Sequence, residues 1–106
     1  MFSFARWVTF LEEQGALLKA EGFEIRFVAS VEHQKMILEI MGERAGGMFE
    51  NWGRGDTDYT VLDLSPVNKA PLAYRWAVMA NDESFEPLFR EFIQLFRHHA
   101  GGPKRG

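Results

Sequence analysis

The sequence predicts an α+β domain: an N-terminal helix, a five-stranded antiparallel meander sheet and a C-terminal helix, with both helices packed on one face of the sheet. Three observations predict it. The hydrophobic period is near 3.6 at both ends of the chain and near 2 between them. Turn signals recur at short intervals through the middle, so consecutive strands are joined by hairpins or short loops. Each strand offers one strongly apolar face and each helix one apolar stripe, and covering all of them at once puts both helices on the same side of one sheet. A chain of 106 residues has the length of a single domain. Residues 1–100 read as that domain and 101–106 as a mobile C-terminal tail.

The first helix covers residues 2 to 20. Phe4, Val8, Leu11 and Leu18 recur at helical spacing, Trp7, Phe10 and Leu17 widen the stripe, and Gly22 supplies a cap. Gly15 weakens its middle slightly. Phe23–Phe27 then alternates as a strand with one wet face, and Glu32-His33-Gln34 is a polar turn. Lys35–Met41 is the second strand, Gly42–Gly47 a loop and Met48–Trp52 the third strand. Gly53-Arg54-Gly55-Asp56 is a hairpin turn leading into a fourth strand, Thr57–Leu64. Residues 65–71 hold two prolines and form a loop; the fifth strand is Leu72–Met79, with Leu72, Tyr74, Trp76 and Val78 alternating onto one face. Asp82 or Ser84 caps the second helix, and Phe85, Leu88, Phe89, Phe92, Ile93 and Phe96 form its apolar face.

Composition narrows the function. At 46 % hydrophobic and 25 % charged residues, the chain has enough apolar content for an ordinary core and too much for long disorder. The absence of cysteine excludes disulfides, thiolate metal sites and cysteine nucleophiles. A net charge of −3 leaves little from which to build a basic face, so no nucleic-acid partner is expected. No apolar run approaches the ~18 residues of a membrane span. The first residues lack a signal-peptide pattern, so the expected location is cytoplasmic, with no membrane partner.

No catalytic constellation emerges. His98 and His99 are adjacent, so they do not share a helix face as an i, i+4 metal pair does. Asp56 and Asp58 read as turn formers with no general acid opposite. The glycine-rich segment Gly42–Gly47 lacks the lysine and following helix of a phosphate loop. The chain is expected not to be an enzyme and to need neither cofactor nor metal.

Alternation sends Phe23, Ile25, Phe27, Met36, Leu38, Ile40, Phe49, Tyr59 and Val61 toward the helices. It sends Glu24, Arg26, Val28, Ile37, Glu39, Met41, Met48, Glu50, Trp52, Asp58, Thr60, Leu62 and Arg75 the other way, where no third layer remains. Met41, Met48, Trp52 and Leu62, with Val28 and Ile37, would expose an apolar patch of ~400 Å², the size that marks interaction sites. Glu39, Glu50 and Asp58 rim it. Trp52 is read as its hot spot, and Arg54 on the hairpin tip completes the candidate partner-binding set. The charge is also uneven: ten acidic and six basic residues lie in 1–60, against five and six in 61–106.

Beyond these physical readings, the chain resembles the TriTu immunity proteins, the protective partners encoded beside toxins in bacterial polymorphic toxin systems. The resemblance rests on the N-terminal amphipathic helix ending in Gly22-Phe23-Glu24 and on the hairpin Trp52-Gly53-Arg54-Gly55-Asp56-Thr57-Asp58. It continues through Tyr59-Thr60-Val61-Leu62-Asp63 to the helix start Ser84-Phe85-Glu86-Pro87-Leu88. Asn51, where the family has an aliphatic residue, departs from the pattern, as do Pro71 and Pro87. The resemblance implies an antitoxin that neutralises a cognate toxin effector domain by stoichiometric occlusion. An acidic face suits a basic toxin. Two other readings compete. One is a secretion chaperone or adaptor that holds an extended segment of a partner on its sheet and dimerises; separately, the open sheet face could close a homodimer. The other is a small-ligand or enzymatic domain using a pocket between Tyr74, Trp76 and the helices.

Overall fold

The computed structural model describes residues 1–65, 67 and 70–103. Its elements are α1 (Phe4–Ala20), β1 (Glu24–Ser30), β2 (Lys35–Met41), β3 (Ala45–Trp52), β4 (Asp56–Asp63), β5 (Pro71–Met79) and α2 (Phe85–Ala100). The strands form one antiparallel sheet in the order β1-β2-β3-β4-β5, the expected meander. α1 packs on β1 and β2, and α2 on β3 and β4. The expected loop residues Pro66, Asn68 and Lys69, and tail residues 104–106, lie outside the described residues. Gly101–Pro103, read as the start of a mobile tail, are tied down. Gly102 accepts a hydrogen bond from the Glu43 amide (2.9 Å), and Gly42 bridges to Pro103.

The helix side of the sheet is an aromatic core. Phe49 at the centre of β3 meets the rings of Phe85, Phe89 and Phe92 at 5.2–5.5 Å between centroids. All four are fully buried, with Met36, Leu38, Ile40 and Val61 beside them. Trp7 and Phe10 join α1 to α2 through Phe85, and Phe10 also through Phe89. Leu17, read as part of the α1 stripe, is instead exposed: the buried face of α1 is Phe4, Trp7, Leu11, Gly15 and Leu18.

Two glycine segments explain where sequence boundaries shift. Gly46 and Gly47, expected in a loop, belong to β3. A Cβ on Gly47 would lie 2.8 Å from Cζ of Phe92, so the phenyl ring needs a strand residue without a side chain. Gly15 is likewise buried against Ile25 and Leu38, so it brings α1 close to the sheet as well as lowering helix propensity. Gly22 follows the α1 C-cap with φ 105°. Phe23 N–H returns to Leu18 C=O and Gly22 N–H to Lys19 C=O, a Schellman arrangement that satisfies two orphan carbonyls.

β5 departs most from simple alternation. Its register with β4 slips at two places, between Thr57 and Tyr59 and between Val61 and Leu62. The first slip is an extra residue around Ala77, which sits at φ 57°. Leu72, Ala73 and Val78 therefore pack on the core, while Tyr74 sits opposite Thr60 on the open face, and Trp76 joins it there. Arg75, expected on the open face, pairs opposite Tyr59 and reaches Glu91 of α2 at 3.1 Å. Both assignments correct the sequence reading, and the physical reason is the pair of slips: the extra residue near Ala77 puts Trp76 and Val78 on different faces, and the one at Leu72 does the same for Leu72 and Tyr74.

Polar ties close the helix layer. Ser84 stands at the N-cap of α2, as expected, with its hydroxyl accepting from the Asn81 amide (2.9 Å), while Asp82 does not cap α2. Its carboxylate instead accepts hydrogen bonds from the Ser3 amide (2.7 Å), the Ser3 hydroxyl (2.6 Å) and the Trp7 indole (2.8 Å), and so caps α1 from the far end of the chain. These donors, Ser3 first, hold its pKa down at about 2. Asn81 serves α2: its side-chain oxygen accepts from the amides of Glu83 and Ser84, both at 2.9 Å. Near the other end of the helices Arg97 pairs with Glu21 at 2.8 Å, which lowers the Glu21 pKa.

Candidate functional site

No described element covers the second face of the sheet. The registers arrange its side chains in rows across the strands. One row runs Glu24, Met41, Gly46, Leu62; the next runs Arg26, Glu39, Met48, Thr60, Tyr74. A third holds Val28, Ile37, Glu50 and Asp58, and a fourth Ser30, Lys35, Trp52 and Asp56.

This places the sequence-derived candidates in two groups. Met41, Met48 and Leu62 come together around Gly46, and with Glu39, Thr60 and Leu64 they line a shallow hollow of about 360 Å³. The hollow exists because Gly46 has no side chain: a Cβ there would lie 2.9 Å from the Met41 sulfur. Trp52 lies in a different row, six residues along β3 from Gly46 and so ~20 Å away. It is 42 % exposed, with the Lys35 ammonium 3.9 Å from its ring centroid, and it shares the hairpin end with His33, Arg54 and Asp56. Glu50 and Asp58 lie in the row next to Met48 and Thr60. They face each other across β3 and β4, in the row that separates Trp52 from the hollow.

Tyr74 and Trp76 are the residues that alternation misassigned. Their rings stack at 4.3 Å, and the Trp76 indole donates to the Thr60 hydroxyl at 3.1 Å. They remain 53 % and 57 % exposed. The aromatic pair thus extends the Met48–Leu62 area to the β5 edge, and the apolar centre of the open face lies on β3–β5 rather than at Trp52. The bulge that turns them outward is held by Asp58, whose carboxylate accepts from the Ala77 amide at 2.5 Å. No glycine marks that position, so the sequence carries no turn signal for it.

Elsewhere the polar groups serve the fold. Tyr59 donates from its buried hydroxyl to Glu91, which Arg75 also engages. Burial, with the Glu91 contact added, pushes the Tyr59 pKa up, and the Tyr59 hydrogen bond pulls the Glu91 pKa down. The groove beside this cluster, about 250 Å³ between β5 and α2, excludes Tyr74 and Trp76, so the expected pocket between them and the helices is not formed. A wider cleft of about 620 Å³ lies beside the α2 C-terminus, lined by Glu43, Arg44, Asp63, His98 and His99 among others. Among the described residues no three His, Asp or Glu side chains are grouped to hold a metal, and no helix is long and apolar enough to cross a membrane.

Comparison with known proteins adds no relative: no family model matches the chain, and neither a curated protein nor a solved structure matches it.

Proposed function

We propose that this protein is an immunity protein: a cytoplasmic antitoxin that binds a cognate bacterial toxin domain stoichiometrically and occludes it, without turnover or cofactor. The observation that carries the reading is the open sheet face, where Met48, Leu62, Tyr74 and Trp76 are left exposed together on adjacent strands. Apolar and aromatic side chains gathered this way are a liability in a lone monomer and a hot-spot composition in a complex. The sequence resemblance set out above supplies the class of partner, and the carboxylates on the same face suit a basic one. The chaperone reading is less well supported. An extended client would add to a sheet edge; β5 is blunted by Pro71 at its start and by the bulge at Ala77, which leaves only β1 for such a client.

The test is co-expression with the toxin domain encoded in the neighbouring reading frame. The expected result is a 1:1 complex that survives gel filtration, together with protection of growth. A toxin that kills equally with and without the chain would remove the reading.

A further inference from the structure

The open face also says what kind of side chain its partner presents. Three charges are engaged within the face: Arg26 lies 3.8 Å from Glu39, and Lys35 sits over Trp52. Glu50 and Asp58 are different. They occupy directly opposed positions on β3 and β4, an arrangement that like charges make unfavourable. Among the described residues neither has a cation within ion-pair distance; Asp58 has only the Ala77 amide. Trp76 lies in the strand beside Asp58, its ring exposed and fixed by the bond to Thr60. The apolar hollow between Met41, Met48 and Leu62 lies farther along the same face, next to the Met48–Thr60 row.

The geometry points to a protein partner that lays an arginine against this face, its guanidinium between Glu50 and Asp58 and beside the Trp76 ring, with a neighbouring aliphatic side chain in the Met41–Met48–Leu62 hollow. A planar guanidinium can bond two carboxylates and stack on an indole at once, which an ammonium cannot. The same charges disfavour a two-fold dimer centred on this row, which would bring two unpaired Glu50–Asp58 pairs together. The inference rests on the immunity reading for the partner's identity but not for the chemistry of the site, and the two can be tested apart.

The first arm needs no toxin. The ¹⁵N-labelled chain is titrated with N-acetyl-arginine methylamide, using the lysine counterpart as control. Saturable shifts are expected at the Glu50, Asp58 and Ala77 amides and at the Trp76 indole N–H. The lysine compound should shift them less, and the Glu50→Gln/Asp58→Asn double variant, which keeps shape and the Ala77 acceptor, should lose them. Scattered or non-saturating shifts would overturn the site. In the second arm the double variant should bind the cognate toxin domain roughly 30-fold more weakly, the hot-spot scale, with a thermal melt no lower than the parent's. If the complex forms and the double variant binds as tightly as the parent, the site is wrong and the immunity reading stands. If the arginine shifts are localised and saturable but no complex forms, the site stands and the immunity reading fails. A homodimer in sedimentation that Trp76→Ala dissolves would overturn the choice of occupant.

Discussion

On its helix side the sheet buries Met36, Leu38, Ile40, Phe49, Tyr59 and Val61 almost completely under two amphipathic helices. On its other side the same five strands leave Met48, Trp52, Leu62, Tyr74 and Trp76 at least a third exposed. Strand pairing is common to both faces, so backbone geometry does not separate them. What separates them is what finishes each. The helix side is completed within the chain, by ring contacts and by ties such as Asp82 to Ser3 and Trp7. The open side holds two groups the chain does not complete, a stacked aromatic pair and an opposed pair of carboxylates. Side chains on the first face should govern folding, and those on the second should govern association.

The sharpest way to break that division is to truncate one large aromatic on each side. Phe89 is fully buried between Phe10, Phe49 and Phe92. Phe89→Ala should cost roughly 3–5 kcal/mol, as buried phenylalanines do, seen as a large fall in the urea midpoint. Trp76→Ala should cost less than about 1 kcal/mol and move that midpoint little, since Trp76 is already more than half exposed. Equal losses would mean that the open face is structural.

Binding should reverse the order of importance within the open face. Trp76→Ala is expected to weaken association with the toxin domain by about 2 kcal/mol. Trp52→Ala should cost less, because Trp52 is separated from the hollow by the Glu50–Asp58 row and is already engaged by Lys35. Surface-plasmon kinetics on both variants decides it. A larger loss at Trp52 would move the contact to the hairpin end, with Arg54.

The two faces were not equally legible in the sequence. The helix side follows period alone: Phe23, Phe49, Tyr59 and the α2 stripe all turn inward as their spacing requires. The open side failed at β5, where Leu72, Tyr74, Trp76 and Val78 alternate in sequence yet do not share a face. A bulge at an alanine leaves no glycine to announce it, and its cause, the Asp58 carboxylate on Ala77 N–H, is a contact between residues 19 apart. Glycine propensity misled in the opposite direction at Gly46 and Gly47, where tertiary crowding by Met41 and Phe92 outweighs a low strand preference. Asp82 was legible as a helix-start residue but not as the cap of the other helix, because local spacing carries no information about a partner 79 positions away.

A smaller effect tests how complete the helix side is. Asn51 is fully buried on β3. Thr57 directs its hydroxyl proton to Gly55 C=O (2.8 Å), so it can only accept from the Asn51 amide (2.9 Å), which leaves the Asn51 carbonyl oxygen without a partner among the described residues. An unpaired buried acceptor costs free energy. Asn51→Leu, similar in shape, should therefore stabilise the domain by about 1 kcal/mol, raising Tm by several degrees. A fall in Tm would show that the amide contributes more through Thr57 than its orphan oxygen costs.

The Asp82 tie depends on acid. Asp82 titrates at about 2 in the folded chain, below its ordinary 3.8, because Ser3 and Trp7 donate to its charged form. A carboxylate whose folded pKa is depressed binds fewer protons in the native state than in the unfolded one. Its stabilising contribution is therefore fully present above pH 3.8 and is lost as the pH falls toward 2. Asp82→Asn keeps an oxygen acceptor but removes the charge. The melting difference between parent and variant should be constant from neutral pH down to about 5 and shrink steadily between 4 and 2. Glu21 and Glu91 are also depressed and will steepen the acid transition of both proteins alike, so the difference between the two melts, not either curve alone, carries the result. A difference that stays constant through that window would mean that the tie is made by geometry rather than by charge. The two helix N-termini would then be held together by packing of Trp7 on Phe85.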